Sequence, residues 1–202
     1  MLLTLLQERI SCNYFDPDFE LSPVQLQTLI ALATQAPSAY NAQNWRFIAV
    51  QSAAAKARLL PLAYGQQKVA DAAVTFIICG QMGFHTELAT TLQPAVAAGI
   101  LSSELQQMMV HYATEGYQAQ PQLQRDEAIR SASLAAMALM LAAQHHGWAS
   151  CPMIGFDAAG VSAEFGLAEH EVPVMLLPVG RAGAGNWPRK PRKTVAEVLL
   201  MV

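Results

Sequence analysis

Hydrophobic positions along the chain follow two periods, and the switches between them mark the elements. The opening "LLTLLQERI" has helical spacing and runs into a polar loop, "SCNYFDPDFELSP". Ser22, Pro23 and Gln25 then form a helix start. Ser22 is a hydroxyl N-cap, Pro23 takes the first helical position, where its missing N–H costs nothing, and Gln25 can reach back to the cap. Val24, Leu26, Leu29, Ile30 and Ala33 supply the apolar stripe, and Pro37 closes the helix. "WRFIAV" (45–50), "AVTFIIC" (73–79) and "PVMLLPVG" (173–180) read as strands. The second is apolar almost throughout, as expected of a strand covered on both faces.

From Gly83 to Arg125 the chain is rich in Gln, Ala and Leu and is interrupted by Pro94, Gly99, Gly116 and Pro121. This pattern predicts short helices forming a flap on a single domain that spans residues 1–202. Asp126 to His146 is predicted as a long helix, apolar almost all round and stopped by Gly147. A helix without a polar face belongs in a core or against a second subunit.

Composition sharpens that last point. Hydrophobic residues make up 53% of the chain and charged residues 13%, against about 25% charged in an ordinary soluble protein. The exposed apolar surface this implies predicts a homo-oligomer. A net charge of −3 offers no basic face for a nucleic acid. Membrane insertion is the competing explanation, and the pattern argues against it. The charge-free run Ser131–Phe156 contains Gln144, His145, His146, Gly147 and Pro152, and its apolar heart, "LAAMALMLAA", is well short of the ~20 residues a span needs. "MLLTLLQERI" lacks the basic region and cleavage site of a signal peptide, so a cytoplasmic location is expected. Cys12, Cys79 and Cys151 are far apart with no CxxC pair, which suggests buried thiols rather than zinc or a disulfide framework.

Three familiar kinds of chemistry fail on context. "GRAGAG" (180–185) follows a strand but does not open a helix and lacks the GxGxxG spacing of a dinucleotide loop. The histidines have no ligand spacing: His145 and His146 are adjacent, hence about 100° apart on a helix, and no metal site is expected. No GxSxG nucleophile motif occurs either. Three features remain. "APSAYNAQNWRF" (36–47) crowds the amides of Asn41, Gln43 and Asn44 at the joint between a helix and a strand. Arg9 and Ser11 end the first helix, and "PRKPRK" (188–193) lies near the other end of the chain. Cations and a hydroxyl suit a phosphate monoester, and fixed amides suit the edge of a planar heterocycle.

"QERIS", "APSAYNAQNWRF", "SCPMIGFD" and "PRKPRKTVAEVL", in that order, resemble the FMN-dependent nitroreductase family over nearly the whole chain. The resemblance implies an α+β, three-layer fold with a mixed central sheet flanked by helices. It also implies an obligate homodimer, with two FMN sites between subunits. By position, Arg9, Ser11, Lys190 and Arg192 would grip the FMN phosphate. Pro37, Ser38 and Asn41, with Gln43 nearby, would line the flavin from the partner subunit. Gln66 and Lys68 match the segment at the pyrimidine edge, and Pro152, Met153, Ile154 and Gly155 match the stretch whose backbone N–H faces flavin N5.

The implied reaction is ping-pong. NADPH or NADH gives a hydride to flavin N5 and leaves, and a nitroaromatic, quinone or activated alkene then takes its place. The flavin carries the chemistry, so no protein nucleophile or general acid is expected, and Lys68 is the candidate cation for the N1/O2 edge. Phe84 and Tyr112, on the flap, are candidate acceptor-site residues. The chain departs from the family pattern in three places. Asn13 stands where a second cation is usual, Asn44 where a proline is usual, and Ile154 where some members are acidic. A lost charged hydrogen bond at Asn13 would weaken phosphate binding by roughly 1.5–3 kcal/mol. Flavin fragmentation and reductive dehalogenation occur on the same scaffold and stay open as alternatives, as does a non-catalytic flavin-binding dimer.

Overall fold

The computed structural model describes residues 2–202, and its architecture is α+β in three layers. The central sheet has four strands in the order β1-β2-β4-β3: β1 (Trp45–Val50), β2 (Val74–Gln81), β3 (Ala149–Ser150) and β4 (Glu171–Gly180). These pair antiparallel throughout, and the parallel component is a single bridge between Ser11 and Ser150. The expected strands at 73–79 and 173–180 each run one or two residues longer. Pairing sets these ends: Gly80 and Gln81 still face Val172 and Glu171 across the ladder.

β2 and β4 are buried on both faces because side chains alternate across a strand. Val74, Phe76 and Ile78, with Leu177 and Val179, face a first core closed by α2 (Pro23–Ala33) and α7 (Pro121–His145). Ile77, Cys79 and Leu176 face a second core, closed by α3 (Ala53–Leu62), α4 (Lys68–Asp71) and α8 (Ala158–Glu164). All three cysteines lie buried in this second core as free thiols. α2 begins with the expected capping box: Gln25 N–H donates to Ser22 Oγ and Ser22 N–H to Gln25 Oε1. The helix ends at Ala33, before Pro37.

The segment 83–120 forms a 3₁₀ turn at Phe84–Thr86, then α5 (Leu88–Ala97) and α6 (Ser103–Tyr117), around a small core of Ala42, Phe84, Leu88, Leu92 and Ala113. Two expected breaks are not breaks. Pro94 sits inside α5 and Gly116 inside α6. Pro121 is the first residue of α7, which therefore starts earlier than Asp126; a proline there forgoes an N–H that would be unpaired anyway. No helix among the described residues is long and apolar enough to cross a membrane. Gly180 of "GRAGAG" serves packing: a Cβ there would lie 2.9 Å from the Ala73 backbone nitrogen.

Candidate active site

The amide-rich joint is a strained loop held from several sides. Tyr40, Asn41 and Gln43 have φ values of 55°, 55° and 51°, in a left-handed region that side chains other than glycine rarely occupy. Such strain survives only where the surroundings over-determine it. Here Gln43 N–H donates to Ser38 Oγ at 2.8 Å, and Trp45 N–H to Gln43 O at 2.9 Å. Asn44, buried to 3% exposure, clamps the loop to β2. Its Nδ2 donates to Gln81 O at 3.1 Å, and Gln81 N–H donates to Asn44 O at 2.9 Å. A proline there would have no side-chain amide for this clamp. Asn44 Oδ1 is buried without a partner.

A second group forms where the chain ends converge. Ser11 and Asn13 share a cavity of about 70 Å³ with Trp187, Arg189, Lys190 and Arg192. Arg9 belongs to the same field. Burial lowers its pKa from the ordinary value, and the nearby charges of Arg192 and Arg189 lower it further. No carboxylate lines this cavity, and Arg9, Arg189, Lys190 and Arg192 make no ion pair among the described residues. Lys190 Nζ lies 5.2 Å from the centroid of the Trp187 ring. Asn186 holds the two chain ends together, accepting from Asn13 N–H at 2.6 Å and Tyr14 N–H at 3.0 Å and donating to Tyr14 O and Gly183 O. Cations around a small cavity without a carboxylate make the local potential positive.

Beside it, Lys68 Nζ donates to Asn13 Oδ1 at 2.8 Å and lies 3.7 Å from Cys151 Sγ. Burial pushes the Cys151 thiol up, with Lys68 pulling the other way. Gln66 Nε2 donates to Gly155 O at 2.8 Å, tying the 66–68 turn to the 152–155 stretch. Met153 is buried and bridges to Leu176, whereas Ile154 is 85% exposed and Gly155 is also exposed. Phe156 N–H is taken by Ile154 O, and Met153 N–H by Leu176 O; among the described residues the N–H groups of Ile154 and Gly155 have no partner.

The fold thus gathers Arg9, Ser11, Lys190 and Arg192 in one place, with Lys68 next to it through Asn13, and joins Gln66 to Gly155. It does not bring Pro37, Ser38, Asn41 or Gln43 into that group within one chain. Gln43 lines a different cavity, of about 390 Å³, with Asn44, Met82, Phe84, Glu87 and His170. Phe84 is buried against Tyr117, ring centroids 4.8 Å apart, while Tyr112 is 57% exposed and does not line that cavity. Sequence reasoning passed over Arg189, Asn186 and Cys151. Arg189 was legible in "PRKPRK"; the other two roles depend on contacts between distant segments.

The nitroreductase family model matches residues 6–181. The chain belongs to the nitroreductase family. YodC of Bacillus subtilis (strain 168), provisionally named an NAD(P)H nitroreductase, is 34% identical over 180 residues, covering 89% of both chains. The crystal structure of the B. subtilis nitroreductase-like protein ydfN superposes with a TM-score of 0.93 at 32% identity, over 99% of this chain and 98% of that one. A provisionally named nitroreductase from Exiguobacterium sibiricum 255-15, solved in complex with FMN, also gives 0.93, at 27% identity over 100% and 97%. Among nitroreductases, then, the carboxylate-free cavity and the unpaired N–H groups at 154–155 are the features to explain.

Proposed function

We propose that this nitroreductase-family chain is a cytoplasmic, homodimeric FMN-dependent oxidoreductase. It takes a hydride from NADPH or NADH and passes it to a planar, electron-poor acceptor such as a nitroaromatic, a quinone or an activated alkene. The observation that carries the reading is the cavity between the chain ends, lined by Arg189, Lys190 and Arg192 with Arg9 nearby and no carboxylate, for which a small anionic group is the natural occupant. The residues fit FMN. Arg9, Ser11, Lys190 and Arg192 would bind its phosphate, Gln66 and Lys68 would meet the ring edge, and the free N–H groups at Ile154 and Gly155 would supply donors toward N5. When bound, FMN supplies a centre that accepts a hydride from one molecule and gives it to another. The protein then has to bind, orient and exclude water. It needs no nucleophile, and donor and acceptor using one face in turn gives ping-pong kinetics.

A second subunit completes the reading. Pro37, Ser38, Asn41 and Gln43 lie outside the cation cavity of their own chain and would reach the flavin of the partner. The apolar surface supports this assembly. Leu199, Leu200, Met201 and Val202 are 56–116% exposed. A groove lined by Leu26, Ile30, Phe47, Ala49 and Phe76 lies open beside the edge strand β1. Surfaces of this kind are normally covered. Alkene acceptors are included because an enone reductase of Lactiplantibacillus plantarum is 28% identical over 185 residues, 90% of this chain and 85% of that protein.

Anaerobic titration tests the proposal. The purified protein should absorb as a bound flavin, bleach with one equivalent of NAD(P)H, and recover colour on adding p-benzoquinone or a nitroarene. Bound flavin that neither nicotinamide reduces would refute the oxidoreductase reading and leave a binding module or another flavin reaction of the fold.

A further inference from the structure

Lys68 is a flexible, strongly hydrated charge, and such a side chain gives up much rotamer entropy when fixed. A lysine that must act at one point therefore needs an acceptor to hold it. Asn13 Oδ1 is that acceptor, at 2.8 Å. Its chemistry matters as much as its place. A carboxylate would hold the ammonium but cancel its charge, and a cation would repel it. An amide oxygen fixes the charge and leaves it whole. Lys68 has no carboxylate partner among the described residues, and its other polar contact is the Cys151 thiol.

Asn13 is itself held firmly. Its N–H donates to Asn186 Oδ1 at 2.6 Å, and Asn186 is bonded in turn to Tyr14 and Gly183. Asn13 Nδ2 turns toward Ser11 O at 3.4 Å. Asn13 is among the residues that line the cation cavity, and Lys68 is not. Asn13 is thus the link between the cavity and the lysine beside it.

We propose that Asn13 is a positioning residue that holds the Lys68 ammonium as a fixed, uncancelled charge at the edge of the cofactor site and so raises the reduction potential of the bound flavin. The proposal rests on the reading that this site holds FMN. Two-electron reduction adds negative charge to the ring system, and a fixed cation stabilises the reduced form more than the oxidised one. Loss of the cation moves the equilibrium toward the oxidised flavin.

The test poises the holoprotein anaerobically against a reference dye and measures the ratio of oxidised to reduced bound flavin. Asn13→Asp, which pairs with Lys68, is expected to raise that ratio roughly tenfold at a fixed dye potential. Asn13→Ala should raise it less, and Asn13→Gln, which keeps an amide oxygen, should restore part of the difference. In a Lys68→Met background, Asn13→Ala should have no effect, because the coupling runs through the lysine. The ratio is read at saturating FMN, so that a change in cofactor affinity does not enter it. A ratio unchanged in Asn13→Asp, or an Asn13→Ala shift of equal size with and without Lys68, overturns the proposal while leaving the FMN reading intact. A wild-type protein that does not bind added FMN overturns both.

Discussion

Replacing Gly80 by alanine should cost this fold about 2 kcal/mol. Gly80 lies on β2 against Ala128 of α7. A Cβ there would sit 2.5 Å from the Ala128 carbonyl carbon, with the oxygen nearer still and Ala128 Cβ at 3.0 Å. Ordinary contacts of this kind begin near 3.4 Å. All these atoms are backbone or its first carbon, so no side-chain rotation relieves the overlap. Either β2 or α7 must retreat by about 1 Å, and a gap of that size forfeits a quarter to a half of each affected dispersion contact. The contacts at risk join Phe76 and Ile78 to Ala132, Ala136 and Leu139 in the first core. Overpacking typically costs about 1–3 kcal/mol and occasionally more. Exchanging a strand glycine for alanine returns about 0.5–1 kcal/mol in backbone entropy. The net expectation is a loss of about 2 kcal/mol, or roughly 4–8 °C in Tm for a chain of this size. Urea unfolding followed by circular dichroism at fixed protein concentration measures it. The control is Gly116→Ala in α6, where an added Cβ meets nothing within 4 Å and stability should rise by about 0.5–1 kcal/mol. A Gly80→Ala protein as stable as wild type would refute the close crossing of α7 on β2.

Changing Lys190 and Arg192 together to alanine should lower FMN affinity roughly 100-fold, the lower end for two charge-assisted hydrogen bonds on exposed side chains; equilibrium dialysis with unchanged FMN retention would remove both from the phosphate site. Burial pushes the Cys79 thiol up to about 12 from 9.0, helped by the Glu171 charge. The unfolded thiol ionises above pH 9 while the native one cannot, so stability should decline from pH 9 toward 12, and Cys79→Ala should flatten that limb of a pH–stability curve. Light scattering at micromolar concentration should give a dimer mass, with an interface above the ~2,000 Å² of obligate assemblies, and deleting residues 199–202 should weaken it. A monomer would remove the partner-supplied half of the flavin site.

Much of the molecule was legible in the chain because local chemistry decides it. The box at Ser22 and Gln25 satisfies its own helix end, "WRFIAV" matches β1 residue for residue, and the apolar run "AVTFIIC" covers most of the buried strand β2. The basic residues near both ends were equally visible in the chain, although only folding brought them to one cavity. Tertiary structure decided the rest. Pro94 and Gly116 carry local signals for a break, yet packing around Phe84, Leu88 and Ala113 holds both inside helices. Asn13 looked like a missing cation, but a residue's electrostatic role depends on what faces it, and only folding put Lys68 there. Asn44 likewise looked like a missing proline until its clamp on Gln81 was in view. Sequence specifies which groups a segment can offer. Which of them meet is set by contacts between segments far apart in the chain, such as Asn13 with Asn186 and Gln66 with Gly155, and no local pattern encodes these.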